Sequence, residues 1–113
     1  MHINGQLTMG ENIADLGGVL IALDAYHAAL GAAPAQNVEG LSGDQRFFLA
    51  YGQSWREKAR EDSVRKQLVD DPHSPEAYRV NGVVRNVDAW YGSFGVGPSD
   101  KLYLPSADRA RIW

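Results

Sequence analysis

The stretch Gly10-Glu11-Asn12-Ile13-Ala14-Asp15-Leu16-Gly17-Gly18-Val19-Leu20-Ile21-Ala22-Leu23-Asp24-Ala25-Tyr26-His27-Ala28-Ala29-Leu30 decides how the chain folds. At about 100° per residue, Ile13, Leu16, Leu20, Leu23 and His27 fall on one apolar stripe, and Gly31 follows as a helix stop. An ordinary amphipathic helix would carry long charged side chains opposite that stripe. Here the opposite face reads Glu11, Asp15, Gly18, Ala22 and Ala29, with Tyr26 at its edge. A glycine inside a helix costs about 1 kcal/mol relative to alanine, so Gly17-Gly18 argues for close approach by another element. The acid-bearing face is therefore expected to be packed, with Glu11 and Asp15 turned toward a neighbour. On spacing alone a simpler reading stays open, in which the two acids complement the positive start of the helix dipole.

Working outward, Asn4-Gly5 reads as a turn in a polar entry, and residues 32–40 read as a loop. Ser42 with Gln45 fits a capping box that opens a second helix reaching about Arg60. A shorter helical piece is expected over Ser63–Val69. The punctuated Asp70-Asp71-Pro72-His73-Ser74-Pro75 follows, with Ser74 as a candidate N-cap for one or two helical turns opened by Pro75. A last helix starts at Asn86 or Asp88 and runs through Phe94, and the Gly/Pro-rich tail to Trp113 is irregular. No pair of alternating strands is present. The fold class is mostly α, in a single segment spanning residues 1–113.

A chain of 113 residues buries about 65% of its extended surface, enough for one core. The net charge of −3 and the absence of any nucleic-acid-binding motif argue against nucleic acid as a partner. The mixed run Arg56–Lys66 reads as a solvated helix face with i,i+4 pairs. With no cysteine, disulfides, thiolate metal sites and Cys nucleophiles are excluded. Asp15, Gly17, Gly18 and Asp24 interrupt the longest apolar stretch, so it does not read as a membrane span. No charged segment followed by an apolar one opens the chain, so no leader is read there, and the compartment is not fixed.

The histidines are His2, His27 and His73, and no H-E-x-x-H zinc signature occurs. A catalytic zinc takes three protein ligands and a water, which Glu11 and these histidines are not placed to supply. The ordered set of motifs nevertheless resembles one family. Asn4 to Gly18 contains E-N-x-x-D at Glu11, Asn12 and Asp15; Gln45-Arg46-Phe47-Phe48-Leu49, Gln53-Ser54-Trp55-Arg56, Asp71-Pro72-His73-Ser74-Pro75, Arg79-Val80-Asn81-Gly82 and a terminal Trp113 follow in order. This set resembles the neprilysin family of zinc metallopeptidases, which includes endothelin-converting enzymes and bacterial oligopeptidases.

The resemblance implies the C-terminal helical part of a thermolysin-like (zincin) catalytic domain, with the H-E-x-x-H helix and its general-base Glu lying upstream of these residues. It implies Glu11 as the third zinc ligand. Asp15 would accept a hydrogen bond from a zinc-bound imidazole. His73 would donate to the oxyanion, Asp71 would orient that imidazole, and Arg79 would bind a substrate carbonyl. Without the resemblance, Asp71-Pro72 reads as turn chemistry and Arg79 as a surface ion pair.

The partners implied are oligopeptide substrates and the remainder of the catalytic domain. The chain on its own is expected to be an inactive peptidase fragment with weak zinc affinity, and its uncovered helix face could form a non-native homodimer. Secreted animal members carry Cys near the positions of Val96 and Ala110, so this chain resembles a bacterial-type member. The rival expectation is a helical binding or scaffold domain, derived from that family and no longer catalytic.

Overall fold

The computed structural model describes residues 2–113. Five helices follow in order: α1 Gly5–Leu30, α2 Gly43–Ser54, α3 Glu61–Asp70, α4 Glu76–Val84 and α5 Asp88–Phe94. A 3-10 turn, Ser106–Asp108, lies in the tail. Among the described residues there is no strand beyond one bridge, Val38 with Leu41.

α1 begins five residues earlier than its apolar pattern suggests. Asn4 is an N-cap rather than a turn residue: its side chain accepts from the N–H groups of Gln6 at 3.1 Å and Leu7 at 3.3 Å. The helix stops at Gly31, whose φ of 61° suits glycine and whose N–H returns to the carbonyls of His27 and Ala28. α2 opens with the expected capping box, Gln45 N–H to Ser42 Oγ at 3.1 Å and Ser42 N–H to Gln45 Oε1 at 2.9 Å. It ends at Ser54, short of Arg60. The charged run therefore divides: residues 56–60 are not helical, and the i,i+4 pairs Glu61–Arg65 and Lys66–Asp70 belong to α3.

Leu16, Val19 and Leu23 of α1, Phe48 of α2, Val83 and Val84 of α4, and Val87 form the core. α1 packs on α4, and α2 packs on both α4 and α5. The buried side of α1 is thus centred near Asn12 and Val19, turned by roughly 60° from the stripe read in sequence. Two consequences correct that stripe. Ile13 is 51% exposed. His27 is an exposed residue whose Nε2 lies 2.7 Å from Asp44 Oδ1, not a core histidine.

The two central glycines also differ. A Cβ at Gly17 would meet Ile112 Cδ1 at 3.5 Å, so the chain's own tail packs there, whereas at Gly18 nothing lies within 4 Å. On length and composition α1 could cross a bilayer, with a mean hydropathy of 1.4 over its most apolar window. Here one of its sides packs in a core and another carries an ion pair.

The tail is irregular, as expected, yet firmly strapped. Arg109 stacks on the Tyr91 ring at 3.5 Å and donates to Asp88 Oδ1 at 2.6 Å and Leu104 O at 3.0 Å. Tyr91 Oη donates to Arg85 O at 2.7 Å and accepts from Leu104 N–H at 2.9 Å.

Candidate active site

The packing of α1 on α4 brings together the acids of α1, the loop before α4 and the first turn of α4. Glu11 Oε2 lies 3.3 Å from His73 Nε2. One turn along α1, Asp15 receives two bonds from Arg79, Nε to Oδ2 at 2.7 Å and Nη2 to Oδ1 at 2.6 Å. The neighbour toward which Glu11 and Asp15 turn is thus this chain's own His73 loop and α4. The two carboxyl groups are not divergent: Asp15 is largely enclosed by its pair with Arg79, while Glu11 stays half-exposed beside His73.

His73 is oriented locally. Asp71 Oδ1 accepts from the His73 backbone N–H at 2.8 Å and lies 2.8 Å from its Nδ1. A carboxylate only accepts, so Nδ1 carries a proton and Nε2 is the atom turned to Glu11. The backbone N–H bond, then the ring bond, hold the Asp71 carboxyl below its ordinary range.

Arg79 is fixed on three sides. Besides Asp15, its guanidinium lies 3.9 Å above the Trp55 ring. Its own carbonyl accepts from Tyr51 Oη at 2.8 Å. Burial, then the charge of Asp15, raises the Tyr51 phenol to about 12. The pair with Asp15 raises Arg79 further above its ordinary value. Arg79 Nη1 donates to no group among the described residues, so that arm is available to a ligand.

Ser74 was expected to cap α4. Instead Pro75 occupies the cap position with no side-chain bond, and Ser74 Oγ donates to Asn12 Oδ1 at 2.9 Å. Asn12, Ser74, Trp55 and Tyr51 were not singled out as site residues. Asn12, Trp55 and Ser74 each stand in one of the motif blocks, and for Tyr51 the one-turn spacing to Trp55 is the available hint.

Among the described residues no three His, Cys, Asp or Glu side chains converge on a point that could hold a metal. Glu11 fits as one zinc ligand, being a half-exposed carboxylate beside a polar loop. Two further ligands would have to come from outside these residues. Next to it an open groove between α1 and α2 is lined by Ala14, Asp15, Gly18, Val19, Ala22, Phe47, Ala50 and Tyr51.

Comparison with known proteins is decisive on kinship. The sequence profile of "Peptidase family M13" matches residues 1–110. The chain belongs to peptidase family M13. It is 37% identical over 115 residues to human endothelin-converting enzyme-like 1, covering 99% of this chain and 15% of that protein. It is 35% identical over 111 residues to the neutral endopeptidase of Lactobacillus helveticus, covering 98% and 16%. Its fold matches the zinc metalloprotease ZMP1 of Mycobacterium tuberculosis, with a TM-score of 0.97 in the open state, 50% identity, and coverage of 99% of this chain and 17% of that one. The inhibitor complex of ZMP1 matches with a TM-score of 0.96.

The chain therefore has the mostly helical fold of one part of the M13 peptidase ZMP1. It spans about a sixth of the length of its M13 relatives. Metallopeptidase kinship rests on these M13 matches.

Proposed function

We propose that this chain is the C-terminal part of the catalytic domain of a zinc-dependent endopeptidase that hydrolyses oligopeptides. One observation carries the reading: Glu11 and His73, 62 to 64 residues apart like the neighbouring pairs Asn12–Ser74 and Asp15–Arg79, meet at 3.3 Å beside an open groove of small residues. In this reading Glu11 is the third zinc ligand, and an upstream H-E-x-x-H helix supplies two histidines and the general base. That helix covers the Ala14, Gly18 and Ala22 groove, which accounts for side chains too small to be useful on a free surface.

Zinc, when bound, polarises the scissile carbonyl and acidifies a water. This chain's residues orient and stabilise around it. Asp15 has lone pairs left after its two bonds to Arg79 and accepts from the N–H of a ligating imidazole, fixing its tautomer. His73, doubly protonated with its Nδ1–H held by Asp71, presents Nε2–H to the developing oxyanion of the substrate. Arg79, clamped by Asp15 and Trp55, offers its free Nη1 to a backbone carbonyl of the peptide and keeps it in register. Asp71 acts only through His73.

The test is made in the complete enzyme. Glu11→Val is expected to lose zinc and hydrolysis together, and His73→Phe to keep zinc while kcat falls by about 10²–10³. Full zinc content with normal turnover in Glu11→Val would remove the ligand assignment. An in-frame H-E-x-x-H upstream of these residues supports the peptidase reading. Its absence favours the non-catalytic scaffold.

A further inference from the structure

Glu11 and Asn12 are successive residues of α1, and His73 and Ser74 are successive residues of the loop that meets it. The two pairs form adjacent rungs: Glu11 with His73 at 3.3 Å, Asn12 with Ser74 at 2.9 Å. The second rung touches no reacting group under the reading above, yet it is the better buried. Ser74 is 2% exposed.

The second rung also has a fixed direction. Thr8, 4% exposed, donates its hydroxyl to Asn4 O at 3.2 Å. Its oxygen therefore accepts from Asn12 Nδ2, also at 3.2 Å. That leaves Asn12 Oδ1 for the hydroxyl of Ser74. One turn apart, the N-cap Asn4 and the α1 residues Thr8 and Asn12 form a polar ladder that runs from the exposed helix start through buried Thr8 to the loop. Breaking it would strand buried polar atoms. The loop is otherwise weakly anchored, with Gln67 Nε2 reaching His73 O at 3.4 Å. On its far side Pro75 O receives the N–H groups of Tyr78 at 2.8 Å and Arg79 at 3.2 Å. Ser74 thus sits between His73 and the turn that launches Arg79.

We propose that Asn12 and Ser74 are positioning residues, whose mutual hydrogen bond holds the His73 ring in register with Glu11 and the first turn of α4 in register with Asp15. Neither touches zinc or substrate. The proposal rests on the reading of Glu11 and His73 given above, and its test separates the two.

In the complete enzyme, Asn12→Ala, Ser74→Ala and the double variant are compared for zinc content, melting, kcat, KM and the affinity of two peptide inhibitors. One is a phosphonate, which presents a tetrahedral anion; the other is a thiol, which reaches the metal alone. Both single variants are expected to keep one zinc and normal thiol affinity. Their kcat and phosphonate affinity should fall about tenfold to a hundredfold with KM little changed, as a misplaced group costs. The double variant should be no worse than the worse single one. Ser74→Ala removes a single oxygen and serves if Asn12→Ala does not fold.

Wild-type kcat and phosphonate affinity in a zinc-loaded Ser74→Ala variant would overturn the proposal, as would strictly multiplicative losses in the double variant. If His73→Phe also leaves phosphonate affinity unchanged, the failure belongs to the His73 assignment instead.

Discussion

Arg79 and Asp15 are joined by two parallel hydrogen bonds of 2.7 and 2.6 Å across 64 residues of sequence, with side chains 14% and 12% exposed. The pair ties α4 to α1 at the level of the candidate site, and Trp55 closes it from above. Geometry of this kind is specific to arginine, because a lysine cannot occupy both carboxylate oxygens while lying flat on an indole.

Asp15→Ala is therefore expected to destabilise the fold by about 3 kcal/mol, because it leaves a largely buried guanidinium without its partner. Denaturant unfolding of the complete protein measures this. Arg79→Lys should lose part of the same stability and raise KM for peptides, with zinc content unchanged. A melting point indistinguishable from wild type for Asp15→Ala would show that the pair is dispensable.

Tyr51 predicts an alkaline signature. Its phenol, raised from 10.0 to about 12 by burial and by the charge of Asp15, binds its proton more tightly in the folded state. The stability this contributes is fully present below pH 10 and is lost as the pH rises toward about 12. Ultraviolet titration should show one phenolate appearing late, and Asp15→Asn should bring it earlier. All tyrosines ionising together near pH 10 would contradict the burial of this hydroxyl.

The tail strap predicts an acid signature. Arg111 first, and Arg109 with it, hold the Asp88 carboxyl below its ordinary value of 3.8. A depressed folded value means that the contribution is present above pH 3.8 and disappears as the pH falls through the folded one. The Ala110 N–H, which donates to Asn86 Oδ1 at 2.7 Å, should lose protection from exchange in that window. In Asp88→Asn the protection should be low at all pH values. Unchanged protection in that variant would assign the strap to Arg109 on Tyr91 instead.

Much of this architecture was legible from local chemistry. Ser42 and Gln45 stand three apart and make both bonds of a capping box, and Gly95, with a φ of 63°, ends α5 where Phe94 was read as its last residue. Asp71 and His73 are two apart, so their contact could be anticipated once a role was suspected. What escaped is what tertiary packing decides. Asn4-Gly5 reads as a turn, yet Asn4 caps a helix, and Thr8 and Asn12 carry its polar contacts on along α1. The buried stripe of α1 lies roughly 60° from its most apolar line, because Leu16, Val19 and Leu23 face the core while Ile13 and His27 are exposed. Ser74 looks like an N-cap from its neighbours, and only the fold shows Asn12 opposite it. No spacing rule links Glu11 to His73; the family resemblance did.

The isolated 113-residue chain is expected to lack peptidase activity and to bind zinc weakly, since one carboxylate is a third of a zinc site. Its uncovered α1 face, on which Ile21 is 60% exposed, is expected to promote self-association. Sedimentation and zinc titration measure both. Peptide cleavage by the purified chain, abolished by a chelator, would refute this expectation.

The central claim, that Glu11 completes a zinc site beside His73, is tested most directly by an anomalous difference map at the zinc edge from crystals of the complete enzyme. The account predicts one peak at about 2.0–2.2 Å from a Glu11 carboxylate oxygen, with two histidines from upstream and with His73 outside the coordination sphere. A zinc peak remote from Glu11, or one ligated by His73 in its place, would contradict it.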